Sequence, residues 1–352
     1  MPQFLVTGGA GFIGSHLTAA LVARGDDVVV LDDLSGGSRM RVPVAAELVT
    51  ASIADEIAVS RLFRTHHFDG VFHLAAFAAE GISHAVKSLN YTANVLGSVN
   101  IINAALRAEV GFLGFASSVA VYGHGQLPMR ETDVAHPADS YGNAKLAVER
   151  ELDITMRLQG LPYFAFRMHN VYGEWQNMCD PYRNAVAIFL NQIMRGEPIT
   201  VYGDGGQIRA FTYVGDIVGT FLVAADQPHA WGQVYNVGSS TTATVLQLAD
   251  AVRCAMGVPA HPIVHLPARE EVRTAYTECA HARKVLGPWP ETNLGDGIAR
   301  TAAWAREHGP VELASAVRIE VPCGVEGDWV GWITGRLSGG SDGHRPLTEG
   351  AA

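Results

Sequence analysis

Short apolar runs alternate with stretches of helical periodicity through the first half of the chain. Phe4-Leu5-Val6 leads into a turn with glycines at 8, 11 and 14, and then into a stripe of Leu17, Ala20, Leu21 and Ala23. This spacing predicts strand, tight turn and helix. Val28 to Leu31 reads as a second strand ending in Asp32, and Leu48 to Thr50 as a third beyond the Gly36-Gly37 turn. A helix is predicted from about Asp55 through Leu62 and Phe63, then a fourth strand over Phe68 to Ala76. A helix from about Asn90 to Ala108 carries Leu96, Val99, Ile102, Ala105 and Leu106 on one stripe, and Phe112 to Ala116 reads as the fifth strand. Alternating strands and helices predict an α/β fold: a doubly wound, mostly parallel (Rossmann) sheet.

From about Arg167 the pattern changes, with Gly, Pro, Asn and Asp frequent and strands irregularly spaced. The expected organisation is a dinucleotide-binding domain over 1–166, its sheet completed by later segments, and a smaller α/β substrate-binding region over 167–310. The cleft between them, at the carboxyl ends of the strands, is the predicted active site. A C-terminal extension follows over 311–352. Val311 to Leu337, with Trp329 and Trp332, has room for a further strand or two; Ser338 to Gly343 reads as linker, and disorder is expected near the end.

Composition narrows the class. With 352 residues, 48% of them hydrophobic, the chain can bury a sizeable core as a soluble globular enzyme. A formal net charge of −10 argues against a nucleic-acid partner, which demands clustered Lys and Arg. No apolar run approaches the roughly 20 residues that span a bilayer, and Met1 leads into the first strand without a basic leader, so no membrane association and a cytoplasmic setting are expected. Cys179, Cys254, Cys279 and Cys323 lie far apart and read as reduced thiols. His66-His67 lacks metal-ligand spacing, and no metal site is expected.

The glycines at 8, 11 and 14 suit a backbone that turns sharply and approaches a pyrophosphate at a helix N-terminus, although glycines also serve ordinary turns. Asp32, at the end of the next strand, is placed to bind adenosine ribose hydroxyls and to repel a 2′-phosphate, which favours NAD over NADP; Arg39 and Arg41 pull the other way. Small residues at Ala75 and Ala76 let a cofactor lie on the sheet edge, or merely let helices pack closely. Tyr141 and Lys145, at i and i+4, share one helix face. A free phenol is only about 0.1% ionised at neutral pH; a shift of roughly three units, worth about 4 kcal/mol, from a neighbouring ammonium and an oxidised nicotinamide makes it a competent base. Burial opposes that shift, so Lys145 must stay charged and close; the alternative is an ordinary exposed Tyr/Lys pair. Ser118 follows the fifth strand, where its hydroxyl can reach the same substrate oxygen or simply satisfy strand-end backbone groups.

Thr7 to Gly14, His73-Leu74-Ala75-Ala76, Ser117-Ser118 with Val121-Tyr122-Gly123, Tyr141 with Lys145, Arg167 with Asn170-Val171-Tyr172-Gly173, and Gly203-Asp204-Gly205 with Arg209 occur in this order. From about residue 3 to 307 the chain resembles the extended short-chain dehydrogenase/reductase family, in its nucleotide-sugar epimerase and dehydratase group. The resemblance implies NAD as cofactor and a nucleoside-diphosphate sugar as substrate. It implies Tyr141 as base, Lys145 on the nicotinamide ribose and Ser118 on the reacting hydroxyl. Around the cofactor it implies Gly8, Gly11, Phe12, Ile13 and Gly14, then Asp32, Asp33 and Leu34, Ser52 and Ile53, Leu74, Ala75 and Ala76, Asn94 and Met168. For the substrate it implies Asn170 and Arg209 on the pyrophosphate, Arg269 on phosphate or ribose, and Thr200 and Tyr202 beside the base; each arginine alternatively makes a surface salt bridge. Glu80 is expected near the sugar, selecting a ring substituent or capping a helix. A homodimer through the Asn90 and Tyr141 helices is also implied.

Within the group, dehydratases place an Asp-Glu pair where this chain has Val119-Ala120. The resemblance of His169-Asn170-Val171-Tyr172-Gly173 to GDP-mannose 3,5-epimerases lacks their cysteine, at Ala120, and their lysine, with Arg183 the nearest basic residue. One oxidation and one reduction at C4 remain, making a 4-epimerase the expected activity. A dehydratase, a reductase, a 3,5-epimerase, or an NAD-sensing protein without activity are the alternatives. Ser52, His169 and Ala210 depart from the residues that relatives use at those places.

Overall fold

The computed structural model describes residues 1–180, 184–269, 271–312 and 317–321; Arg183, Trp329, Trp332 and the 338–343 stretch lie outside the described residues. The first half runs β1 (Gln3–Thr7), α1 (Phe12–Arg24), β2 (Asp27–Asp32), β3 (Glu47–Thr50), α2 (Glu56–Thr65), β4 (Gly70–His73), α3 (Lys87–Tyr91), α4 (Gly97–Arg107), β5 (Leu113–Ser118), α5 (Ser140–Gln159) and β6 (Tyr163–Met168). The second adds β7 (Val171–Tyr172), α6 (Ala185–Met194), β8 (Ile199–Tyr202), β9 (Ile208–Ala210), β10 (Thr212–Tyr213), α7 (Val214–Ala225) and β11 (Gln233–Val237). β12 (Thr242–Thr244), α8 (Val245–Met256), β13 (Ile263–Leu266), β14 (Thr274–Ala275), α9 (Ala280–Leu286) and α10 (Leu294–His308) complete it.

Seven parallel strands form the central sheet in the order β11-β6-β5-β4-β1-β2-β3. The expected doubly wound Rossmann sheet is thus present, and β11, from the second half, completes it beside β6. Helices cover both faces, so strands are apolar throughout, yet period two still sorts their residues. Phe4, Val6, Val28, Val30, Phe164 and Phe166 join a core with α1, α7 and the C-terminal helices. Leu5, Val29, Leu31, Val71, Phe115 and Ala165 face the α2, α4 and α5 side. The first core runs without a break into the second half of the chain, and the expected 166/167 boundary falls inside β6.

Two elements differ from their sequence reading. β4 stops at His73 rather than Ala76, because Ala75 N–H donates to the Thr7 hydroxyl at 3.2 Å instead of to a strand carbonyl. The predicted Asn90–Ala108 helix is interrupted by a π turn over Thr92–Leu96. The extra residue of a π turn rotates the stripe, leaving Leu96, expected in the core, 50% exposed.

A cleft at the carboxyl ends of the strands

β1, β4 and β5 end side by side, and their loops enclose a cleft of about 560 Å3 lined by Gly8, Ala75 and Ser118 among others. At its floor, α1 starts at the N-cap Gly11 with no side chain satisfying its first turn. Those amides open on a pocket also lined by Phe12, Ile13 and Gly14, the arrangement that receives a pyrophosphate. Gly8 has φ +71, and a Cβ there would press on the Ala75 backbone at 2.7 Å; a Cβ on Gly14 would collide with the Gly8 carbonyl. Gly14→Ala is therefore expected to open the turn, costing about 1–3 kcal/mol of stability and most of the bound cofactor, read as NAD content per purified chain.

Asp32 closes the far end. One carboxylate oxygen accepts from Ala10 N–H at 3.0 Å, the other from Leu34 N–H at 2.9 Å, with Leu34 held at φ +62. Burial raises the Asp32 pKa, while these amide bonds pull it down. Asp33 accepts from Ser35 N–H at 2.9 Å and Ser52 from Ala54 N–H at 3.2 Å, which fixes the loops that flank the cleft together with Ile53. Arg39 donates to the Thr50 hydroxyl at 3.2 Å, on the strand paired with Asp32, and the Arg41 guanidinium lies near enough to Asp32 for the two charges to interact. Uncapped helix amides, a buried ribose-type carboxylate and the small Ala75-Ala76 wall fit NAD without a 2′-phosphate.

A buried relay ties this floor to the nearby helices. The Ser98 hydroxyl donates to Asn94 O at 2.7 Å, so its oxygen accepts from His73 Nε2–H at 2.8 Å. His73 Nδ1 then accepts from the Thr7 hydroxyl at 2.7 Å, and burial, with Lys145 nearby, holds the ring neutral, its pKa down at about 3. The Asn94 side chain accepts from Phe77 N–H at 2.8 Å and donates to Phe77 O at 3.0 Å and to Asn90 at 2.8 Å; Asn90 donates to Ser140 O at 2.9 Å. Asn94 thereby couples the β4 loop to the start of α5 from behind the cleft wall.

α5 begins at the N-cap Asp139, which accepts from Gly142 N–H at 2.8 Å. Gly142 lies so close to the Ala120 carbonyl that a Cβ would collide with it, and this approach places Tyr141 and Ser118 in the same cleft. Ser118 Oγ accepts from Ala120 N–H at 3.1 Å, which leaves its own proton to donate. Lys145 Nζ lies 5.7 Å from the Tyr141 ring centroid and donates to Ala116 O at 2.8 Å. Burial pulls its pKa down to about 7 while Glu149, one turn on, pulls it back up. Glu149 in turn accepts from Ser117 and, at 2.6 Å, from Arg167, both carboxylate and guanidinium being buried. Val119 and Ala120, following Ser118, offer no ionisable group.

Glu80, Met168 and Asn170 also line the cleft. Glu80 is exposed on the cleft, with protein close around it; the desolvation this brings and the Asp139 charge push its carboxyl up to about 7, against Arg209 and with Glu271 adding to the rise. Asn170 has φ +36 and donates to Ala210 O at 3.2 Å. His169 is buried between Thr212 and Thr277, and burial keeps it neutral, its pKa down at about 4.

The remaining substrate candidates do not line this cleft, although Arg209 lies near enough to Glu80 to act on its charge. Arg269 lies over the Tyr202 ring and lines a second hollow of about 410 Å3 with Asp204, Gln207 and Glu271. Thr200, on β8, has its hydroxyl occupied by Gln192 at 2.8 Å. Arg209 is bound to Glu271 at 2.9 Å, so it reaches an added phosphate only by sharing or breaking that pair. Gln176, Asn177 and Asn184, not expected from the sequence, also line the cleft, and the Gln176 side-chain oxygen is buried without a hydrogen-bond partner. A polar run after Gly173 was their only trace. Among the described residues no group of three or more His, Cys, Asp and Glu is disposed to hold a metal, and no helix is long and apolar enough to cross a membrane.

Sheet order, uncapped phosphate-facing amides and a Ser-Tyr-Lys constellation at the strand ends define a dinucleotide-dependent enzyme of the short-chain dehydrogenase/reductase type. The family model for the NAD dependent epimerase/dehydratase family matches residues 4–238. The chain belongs to that family and uses NAD. A UDP-glucose 4-epimerase of Mycolicibacterium smegmatis is 35% identical over 86% of this chain and 98% of its own length. A UDP-N-acetyl-alpha-D-glucosaminuronate decarboxylase of Bacillus cytotoxicus is 31% identical over 86% and 97%. The solved UDP-glucose 4-epimerase of Thermotoga maritima, with UDP-glucose, superposes with a TM-score of 0.83 at 34% identity, covering 87% of this chain and 99% of that one.

Proposed function

We propose that the cleft inverts C4 of a nucleoside-diphosphate hexose through a transient 4-keto sugar. NAD, when bound, supplies the hydride acceptor and donor at C4. Tyr141 takes the 4-hydroxyl proton, with Lys145 favouring the phenolate, and Ser118 donates to the same oxygen. After the keto sugar has turned over, Tyr141 returns the proton as C4 is reduced on its other face. The observation that carries this reading is the pair Val119-Ala120: the positions beside Ser118 hold no acid, base or thiol for chemistry at C3, C5 or C6. Asn170 and Arg209 are the proposed pyrophosphate ligands, with Thr200, Tyr202 and Arg269 at the nucleoside end. A homodimer is part of this reading; exposed Leu96, Ile154 and Leu158 on the α4 and α5 side support it.

Incubation with UDP-, GDP- and dTDP-hexoses, with NMR of the products, tests the proposal. The expected product is the C4 epimer, formed without added NAD(P)H; a 4-keto-6-deoxy sugar would overturn it in favour of dehydration. That second reading has one observation behind it: Glu80 is a carboxyl lining the cleft, where its surroundings favour the protonated form.

Under the epimerase reading Glu80 accepts a hydrogen bond from a sugar hydroxyl. Its carboxyl is neutral below about pH 7 and charged above, so substrate binding is expected to weaken as pH falls through that value. Glu80→Gln is expected to raise KM roughly tenfold and to remove that acid limb from the kcat/KM profile.

A further inference from the structure

The described part of the C-terminal extension is seated on the cleft wall. Val317 and Ile319 pack against Phe77, Ala79, Ile82 and Val86, while the alternate residues Arg318 and Glu320 are exposed, as in an extended chain. The Glu320 carboxylate spans the start of α3, one oxygen accepting from Ser88 N–H at 2.8 Å and the other from Leu89 N–H at 2.9 Å. The Glu320 and Val321 amides donate to Ala85 O at 2.9 and 3.0 Å. Every one of these contacts falls within residues 77–89, and Phe77, Glu80 and Leu89 of that stretch line the cleft.

The wall is already tied to its neighbours by Asn94 on Phe77 and Asn90 on Ser140, but its helical turns are not capped from within. The 3-10 turn over Glu80–Ala85 and the start of α3 have no capping side chain of their own. Short helical turns are marginal without outside support. The relatives are matched along 98–99% of their own length by 86–87% of this chain, which therefore carries residues they do without.

We propose that Glu320 is a positioning residue for the substrate wall, residues 317–321 acting as a strap that holds the Glu80 turn and the first turn of α3 against the cleft. The strap touches no reacting atom; it works through the wall that bears Glu80. Its consequence for sugar binding rests on the proposed reading of the cleft, whereas its consequence for the wall does not.

The test compares the full-length NAD-bound protein with Glu320→Ala, Glu320→Gln and a chain ending at residue 310, by hydrogen exchange over 77–91 and by steady-state kinetics with the hexose that is turned over. Glu320→Ala is expected to speed exchange over 77–91 about tenfold and to raise KM about fivefold, with kcat and NAD content little changed. Glu320→Gln, which keeps one acceptor oxygen, should fall between, and the shortened chain should exceed Glu320→Ala in both effects. Unchanged exchange and KM in both Glu320→Ala and the shortened chain would overturn the proposal. If no nucleotide sugar is turned over, the reading of the cleft fails, and the exchange over 77–91 still decides whether the strap exists.

Discussion

Tyr141→Phe is expected to purify with NAD bound and to turn over nucleotide sugar at least a thousandfold more slowly than the parent. The substitution keeps the ring, and with it the contact that Lys145 makes at 5.7 Å, so packing at the start of α5 should survive. What is lost is the hydroxyl proposed to take and return the proton on the reacting oxygen. Ser118 cannot replace it: an aliphatic hydroxyl is a far weaker acid than a phenol, and its oxygen already accepts from Ala120 N–H. Measured together, kcat from product NMR and NAD released on denaturation separate chemistry from cofactor binding. Activity within tenfold of the parent would remove Tyr141 from the mechanism.

The largest stability effect is expected at Arg167. Its guanidinium makes bonds of 3.0 and 2.6 Å to the two oxygens of Glu149, at 7% and 4% side-chain exposure. It also lies 4.7 Å from the Tyr122 ring centroid, and Tyr122 donates to Asn236 on β11 at 2.8 Å. Arg167→Met would leave Glu149 buried with Ser117 and Lys145 as its remaining polar neighbours. Breaking one side of such a pair costs about 3–5 kcal/mol, whereas replacing both sides with apolar groups is often nearly neutral. Denaturant unfolding of Arg167→Met should show that loss, and Arg167→Met with Glu149→Leu should recover most of it. A double variant no more stable than the single one would mean that the cost is lost packing over Tyr122 and not a stranded charge. Because Glu149 supports the charge on Lys145, the single variant should also shift the pH dependence of turnover.

The order of strands and helices, the glycine turn and the Tyr141-Lys145 pair were legible in the sequence because each depends on neighbours a few residues apart. A strand sorts its faces by period two, a helix brings i and i+4 together, and a turn that collides with any Cβ leaves glycine as its mark. The end of β4 and the π turn at Thr92–Leu96 were not legible, since a side-chain hydroxyl from β1 and packing around Asn94 decided them. The same holds for Glu149 with Arg167, for Arg209 with Glu271, and for Gln176 in the cleft. Those partners lie on separate elements: the packing of α5 on the sheet sets Glu149 against Arg167 of β6, and the pairing of β14 with β9 in a separate three-stranded sheet brings Glu271 to Arg209. The sequence by itself determined the local chemistry and the class of cofactor it can hold. The tertiary structure decided which charges are already spent on one another and which, like Glu80, still face the cleft, because burial and pairing are properties of surroundings that no single stretch of chain contains.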